Sequence, residues 1–180
     1  MEKTAIFIDN GYLKLILKKF NCKLRIQDFS INLAKENNLW CDKIFFYTAP
    51  PFQSAKPTEE ERIRKASYDK FIITLKKIDK LIIREGRCQK INDIFHQKGV
   101  DTLLTMDLFE SFLEYKNVII ITADTDFVPI LENLRKKGMN VILYYYTDKK
   151  RNSKFSMSNH LLDVCDKSIL LNKKHFNTKV

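Results

Sequence analysis

The run Val118-Ile119-Ile120-Ile121-Thr122 constrains the fold more than any other feature of the chain. β-Branched side chains crowd a helix and pack well on a pleated surface. Because apolar residues occupy successive positions, both faces of such a strand must be covered, as in the interior of a parallel sheet. The run leads straight into Ala123-Asp124-Thr125-Asp126, and a second one, Thr4–Ile8, stops at Asp9-Asn10-Gly11. Both read as buried strands that end in an acidic turn.

The segments between and beyond them alternate in type. Helical spacing is expected over 12–20, 26–37, 101–114 and 127–137, and Thr58 followed by Glu61 reads as a capping box opening a long helix to about Lys77. Pro129 is tolerated in the first turn of its helix, and Gly138 ends that helix. Strands are expected at 43–48, 80–84 and 140–146, and an edge strand at 168–171 follows a short helix over 161–165. Arg87 to Lys98 is polar and reads as irregular. Alternating strands and helices predict an α/β fold: a Rossmann-like three-layer sandwich around a mainly parallel sheet of about five strands. One domain is expected over 1–171, with a polar tail over 172–180.

Lys and Arg number 32 against 22 Asp and Glu, a net charge of +10, which favours an anionic partner such as nucleic acid. The four cysteines, Cys22, Cys41, Cys88 and Cys165, are scattered and lack the close pairs of a zinc site. Free cysteines suit a reducing cytosol. The first apolar run is too short for a signal peptide, so a cytoplasmic location is expected.

In an open parallel sheet, ligands bind at the carboxyl ends of the strands. Asp9 follows the first strand there, and Asp124 and Asp126 follow the fourth. Asp126 is placed to cap the helix from Phe127, whereas Asp124 has no such structural role to explain it. Asp101, at another helix start, serves equally well as a cap or as a ligand. Asp107 falls off the face of Asp101 and is expected to support the site or to bond nearby groups. Clustered carboxylates repel one another unless a cation lies between them. Their hard oxygens suit Mg2+ or Mn2+, which can activate a water against a phosphate. The basic loop Lys149, Lys150, Arg151 and Lys154 reads either as a solvated loop or as one that grips RNA, with Phe155 or Tyr146 stacking on a base. His96, His160 and His175 are too scattered for a histidine mechanism, and no phosphate-binding glycine loop or nucleophile elbow is present.

Several blocks together resemble the NYN domain family of PIN-like nucleases, in its bacterial LabA-like branch. They are Phe7 to Leu13, Phe46 to Pro51, Gln97 to Asp101 with Asp107 beyond, Ile121 to Ile130, and Ser158 to Asp166. The resemblance implies a Mg2+- or Mn2+-dependent ribonuclease that prefers single strands, with Asp9, Asp101, Asp124 and Asp126 holding the metal. Asn10, Lys98, Asp107, Thr122 and Thr125 are expected to support them. It also implies a homodimer or protein partner, for which aromatics such as Tyr145 would serve. The chain departs from the family pattern at Asn10, where glycine is common, and at Thr48, often acidic. Ala123 and Thr125 stand where glycine and serine are usual.

Two other functions compete. One is an RNA-binding regulatory protein that keeps the fold without cutting. The other, a phosphatase or nucleotide hydrolase, would want a second carboxylate within Asp9-Asn10-Gly11 and lacks it.

Overall fold

The computed structural model describes residues 1–92, 94–148, 150 and 153–176. The chain enters at the centre of its sheet. β1 (Glu2–Asp9) is followed by α1 (Asn10–Phe20), α2 (Ile26–Glu36), β2 (Leu39–Thr48), α3 (Glu59–Leu75) and β3 (Leu81–Glu85). A hairpin of β4 (Arg87–Ile91) and β5 (Ile94–Lys98) precedes α4 (Val100–Ser111). β6 (Asn117–Ile121), α5 (Val128–Lys136), β7 (Asn140–Tyr145), α6 (Asn159–Asp163), β8 (Lys167–Leu170) and α7 (Lys173–Phe176) complete the chain.

The main sheet has six strands in the order β3-β2-β1-β6-β7-β8, and each neighbouring pair is parallel. The chain winds outward in one direction from β1, then crosses back and winds outward in the other. Connections on the two sides of β1 and β6 therefore diverge, leaving a crevice at the carboxyl ends of those two strands. Asp9 ends β1, and Thr122 to Asp126 follow β6.

Alternation along β1 explains the three layers. Ala5 and Phe7 point into one core, shared with Leu104 of α4 and Leu131 of α5. Ile6 and Ile8 point into the other, shared with Leu13 of α1 and Phe29 of α2. All four of these β1 side chains have no exposed surface. Each such burial stabilises the fold by about 1.5–3 kcal/mol for the larger side chains. A charged substitution at Phe7 or Ile8 would thus break the sheet at its centre.

The expected edge strand is present, joining β7 in parallel over 167–170 as the sixth strand of the main sheet. Two features depart from expectation. The segment over 87–98 is a regular antiparallel hairpin, with Arg87 opposite Lys98 and Ile91 opposite Ile94. Most of its side chains are exposed, which removes the apolar alternation by which a strand is read from sequence. The tail contains α7, which Phe176 anchors by stacking on Phe29 with ring centroids 5.5 Å apart. The expected capping box of α3 is present, with Thr58 and Glu61 bonded reciprocally.

Candidate active site

Four carboxylates from three separate segments gather around the crevice. Asp9 is the N-cap of α1, and its Oδ1 accepts the backbone N–H of Tyr12 at 3.2 Å. Burial pushes its pKa from 3.8 up to about 6. Backbone N–H groups of Tyr12 and Gly11 pull it down, and the charges of Asp101 and Asp124 raise it further. A Cβ at Gly11 would stand only 3.1 Å from Asp9 Oδ1 and 3.9 Å from Gln97 Oε1, so glycine keeps this side of the carboxylate open.

Asp101 occupies the first turn of α4, behind Gly99, whose φ of 83° is readily adopted by glycine. Its side chain caps nothing. Its pKa is raised, first by partial desolvation and then by Asp124 and Asp126, although the residue as a whole is exposed. Asp9 thus feels the charges of Asp101 and Asp124, and Asp101 those of Asp124 and Asp126, which brings the four side chains into one neighbourhood.

The structure exchanges the capping roles expected for Asp124 and Asp126. A short 3-10 turn, Thr125–Phe127, intervenes before α5, so the cap moves two residues upstream. Asp124 Oδ1 accepts the Asp126 N–H at 2.9 Å, and the Asp124 N–H donates to Thr122 Oγ1 at 3.1 Å. Helix α5 has Phe127 at its cap and no side-chain bond there, which leaves the Asp126 carboxylate exposed and without a capping duty. Thr122 is fully buried, and Thr125 is exposed in the turn.

Two departures from the family pattern are bonded to each other. The buried Asn10 amide donates to Thr48 Oγ1 at 3.0 Å, tying the end of β1 to the end of β2 beside Asp9. Lys98 is exposed at the end of β5, one residue from Gln97. Sequence reasoning passed over Gln97 as a site residue, and its only signal was its place in the block that leads to Asp101.

Asp107 is built into a different place. It is buried, and both of its oxygens are engaged. Tyr47 Oη donates to Oδ2 at 2.8 Å, Arg84 Nε donates to Oδ2 at 2.8 Å, and Arg84 Nη2 donates to Oδ1 at 2.6 Å. It is not among the charges that raise Asp9 or Asp101.

Of the basic loop, Lys150 and Lys154 are exposed, and Lys149 and Arg151 lie outside the described residues. Asp148 organises this loop by accepting the Lys150 N–H and the Ser153 hydroxyl. Phe155 and Tyr146 are partly buried and pack edge-on at 5.0 Å, and Tyr146 packs in the same manner on Phe20. Those rings pack edge-on and remain partly exposed. Tyr145 is partly buried against the core beneath α4 and α5.

The charged donors around the crevice are carboxylates, with the Gln97 amide oxygen nearby, and such hard oxygens fit a divalent cation. Among the described residues, no three His, Cys, Asp or Glu side chains are arranged to hold a metal ion as they stand. The four aspartates thus border the crevice without closing on one point. No described helix is long and apolar enough to cross a membrane.

The sequence profile of the family described as NYN domain matches residues 3–172. A crystal structure of a protein of unknown function from Vibrio parahaemolyticus is similar in fold. Its TM-score is 0.69 at 16% identity, over 97% of this chain and 95% of that one. No curated protein matches the chain in sequence.

Proposed function

The chain belongs to the NYN domain family, and from that premise we propose that it is a Mg2+- or Mn2+-dependent ribonuclease acting on single-stranded RNA. The observation that carries this reading is the gathering of Asp9 at the end of β1, Asp124 and Asp126 after β6, and Asp101 in the first turn of α4. Burial and like charge work against such a group unless a cation compensates it.

Asp9 and Asp124 each place one oxygen on a backbone N–H. Those bonds fix both side chains while leaving the second oxygen of each for a ligand. Asp101 and Asp126 have no cap to hold them and can turn toward the crevice. A divalent cation held there would lower the pKa of a water and stabilise charge on the phosphate. The exposed Lys98 would pair with a phosphate oxygen, and the exposed Thr125 hydroxyl would hydrogen-bond to substrate or water. The buried Thr122 hydroxyl acts indirectly, by positioning the Asp124 backbone.

One observation favours a second reading, an NYN-domain RNA-binding protein without cleavage: among the described residues, no three carboxylates converge as they stand. Cleavage of a labelled single-stranded RNA in manganese or in EDTA separates the two. Wild type should cut only with metal, and Asp124→Asn should be slower by at least about 100-fold, since Asn preserves the cap but not the charge. RNA binding by wild type without any metal-dependent cutting would establish the second reading.

A further inference from the structure

We infer that the β4–β5 hairpin is a docking arm for the single strand leaving the crevice, with one base stacked on Phe95. This rests on the ribonuclease reading and extends it to a subsite that the aspartates do not form.

The hairpin is anchored beside the crevice. The Gly86 N–H donates to Thr48 O at 2.9 Å, continuing the line of β2, and Thr48 is the residue that Asn10 holds next to Asp9. A Cβ at Gly86 would lie 2.5 Å from Lys98 O and 2.7 Å from Val100 Cγ2, so the two ends of the hairpin close tightly over this glycine. The returning strand then runs through Gly99 directly to Asp101. The hairpin is therefore a continuation of the site wall.

Its two faces differ. Pairing of Cys88 with Gln97 and of Lys90 with Phe95 puts these four side chains on one face. That face meets the body of the protein. Gln97 Oε1 reaches the space over Gly11 and Asp9, and Phe95 lies 5.7 Å from Phe52, ring centroid to centroid, at a tilt of 46°. Phe95 remains 51% exposed. Pro51, Phe52, Arg64, Cys88 and Phe95 line a small pocket of about 180 Å³. Lys90 Nζ lies 5.9 Å from the Phe95 ring centroid and Arg64 lines the pocket, and a half-exposed aromatic ring flanked by cations is what a nucleobase and its phosphate require. Arg87 and Lys98 stand opposite each other at the hairpin base, exposed on the face turned away from Gln97 and Phe95, and without an ion pair among the described residues. In a chain of net charge +10 this cationic edge complements a polyanion. A path from Asp9 across Gln97 to Phe95 thus passes from cutting groups to a base platform.

Fluorescence anisotropy of a labelled oligouridine in EDTA tests this on the full chain, with manganese cleavage run on the same samples. Phe95→Ala and Phe95→Leu should each weaken binding about tenfold, and Phe95→Tyr should stay within about twofold of wild type. Leucine preserves an apolar contact with Phe52, so a loss in that variant is not a loss of folding. Arg64→Glu with Arg87→Glu should reduce the slope of log affinity against log salt by about 1–2. If both Phe95 variants bind as tightly as a wild type that also cuts, the hairpin assignment falls and the nuclease reading stands. If wild type neither binds nor cuts single strands, both fall.

Discussion

Asp107 and Asp101 lie on the same helix, six residues apart, yet their surroundings are opposite. Asp107 is buried, and Tyr47 and Arg84 supply three donors to its two oxygens. Asp101 is exposed, caps nothing, and faces the charges of Asp124 and Asp126. A carboxylate whose acceptors are filled by the fold contributes to stability. One that meets only other carboxylates keeps its oxygens for something brought from outside. The two ends of α4 thus teach that an acidic residue's role follows from its donors, not from its distance along the chain to a motif.

The largest expected difference is in activity. Asp101→Asn should lower metal-dependent cleavage by about 100-fold or more, whereas Asp107→Asn should leave the rate per folded molecule within a few-fold. A folded Asp107→Asn protein that no longer cuts would break the comparison, because it would give Asp107 a part in the chemistry. Stability should show the reverse. Asp107→Ala strands Tyr47 and the Arg84 guanidinium and should cost about 3 kcal/mol. That is the low end for a buried pair, because Arg84 is partly exposed. Urea unfolding measures this, and Asp101→Asn should move the midpoint little.

Asp9 sharpens the comparison through pH. Its folded pKa of about 6 lies above the unfolded 3.8, so the folded state binds this proton more tightly. Its contribution is therefore most favourable below about pH 4 and is lost as pH rises through about 6. In EDTA at about pH 7, Asp9→Asn should be more stable than wild type by about 3 kcal/mol. The gap should close below about pH 4, and unfolding curves across that window would show it. A variant less stable than wild type at neutral pH would place Asp9 with Asp107, among the carboxylates that hold the fold. The smallest effect concerns the basic loop. Lys150→Glu with Lys154→Glu should weaken RNA binding modestly and flatten its salt dependence by about 1–2 in slope. An unchanged slope would assign these lysines to solvation alone.

The capping box at Thr58 and Glu61 and the acids that end β1 and follow β6 were legible because each is a local pattern. The cap at Asp124 was not, since whether a 3-10 turn precedes α5 depends on how Phe127 packs into the core. The hairpin was illegible for another reason. Its strands are held by backbone pairing and by its closed base at Gly86, and neither leaves an apolar period in the sequence.

The sequence by itself determined the parallel sheet and the strands that end in acid. Runs such as Val118–Thr122 have nowhere to go but a doubly covered interior, and a chain leaving such a strand must turn at its end. Only the tertiary structure decided which carboxylates remain unsatisfied. The donors that fill Asp107 arrive from β2 and β3, sixty and twenty-three residues away, and no local pattern records a partner that distant.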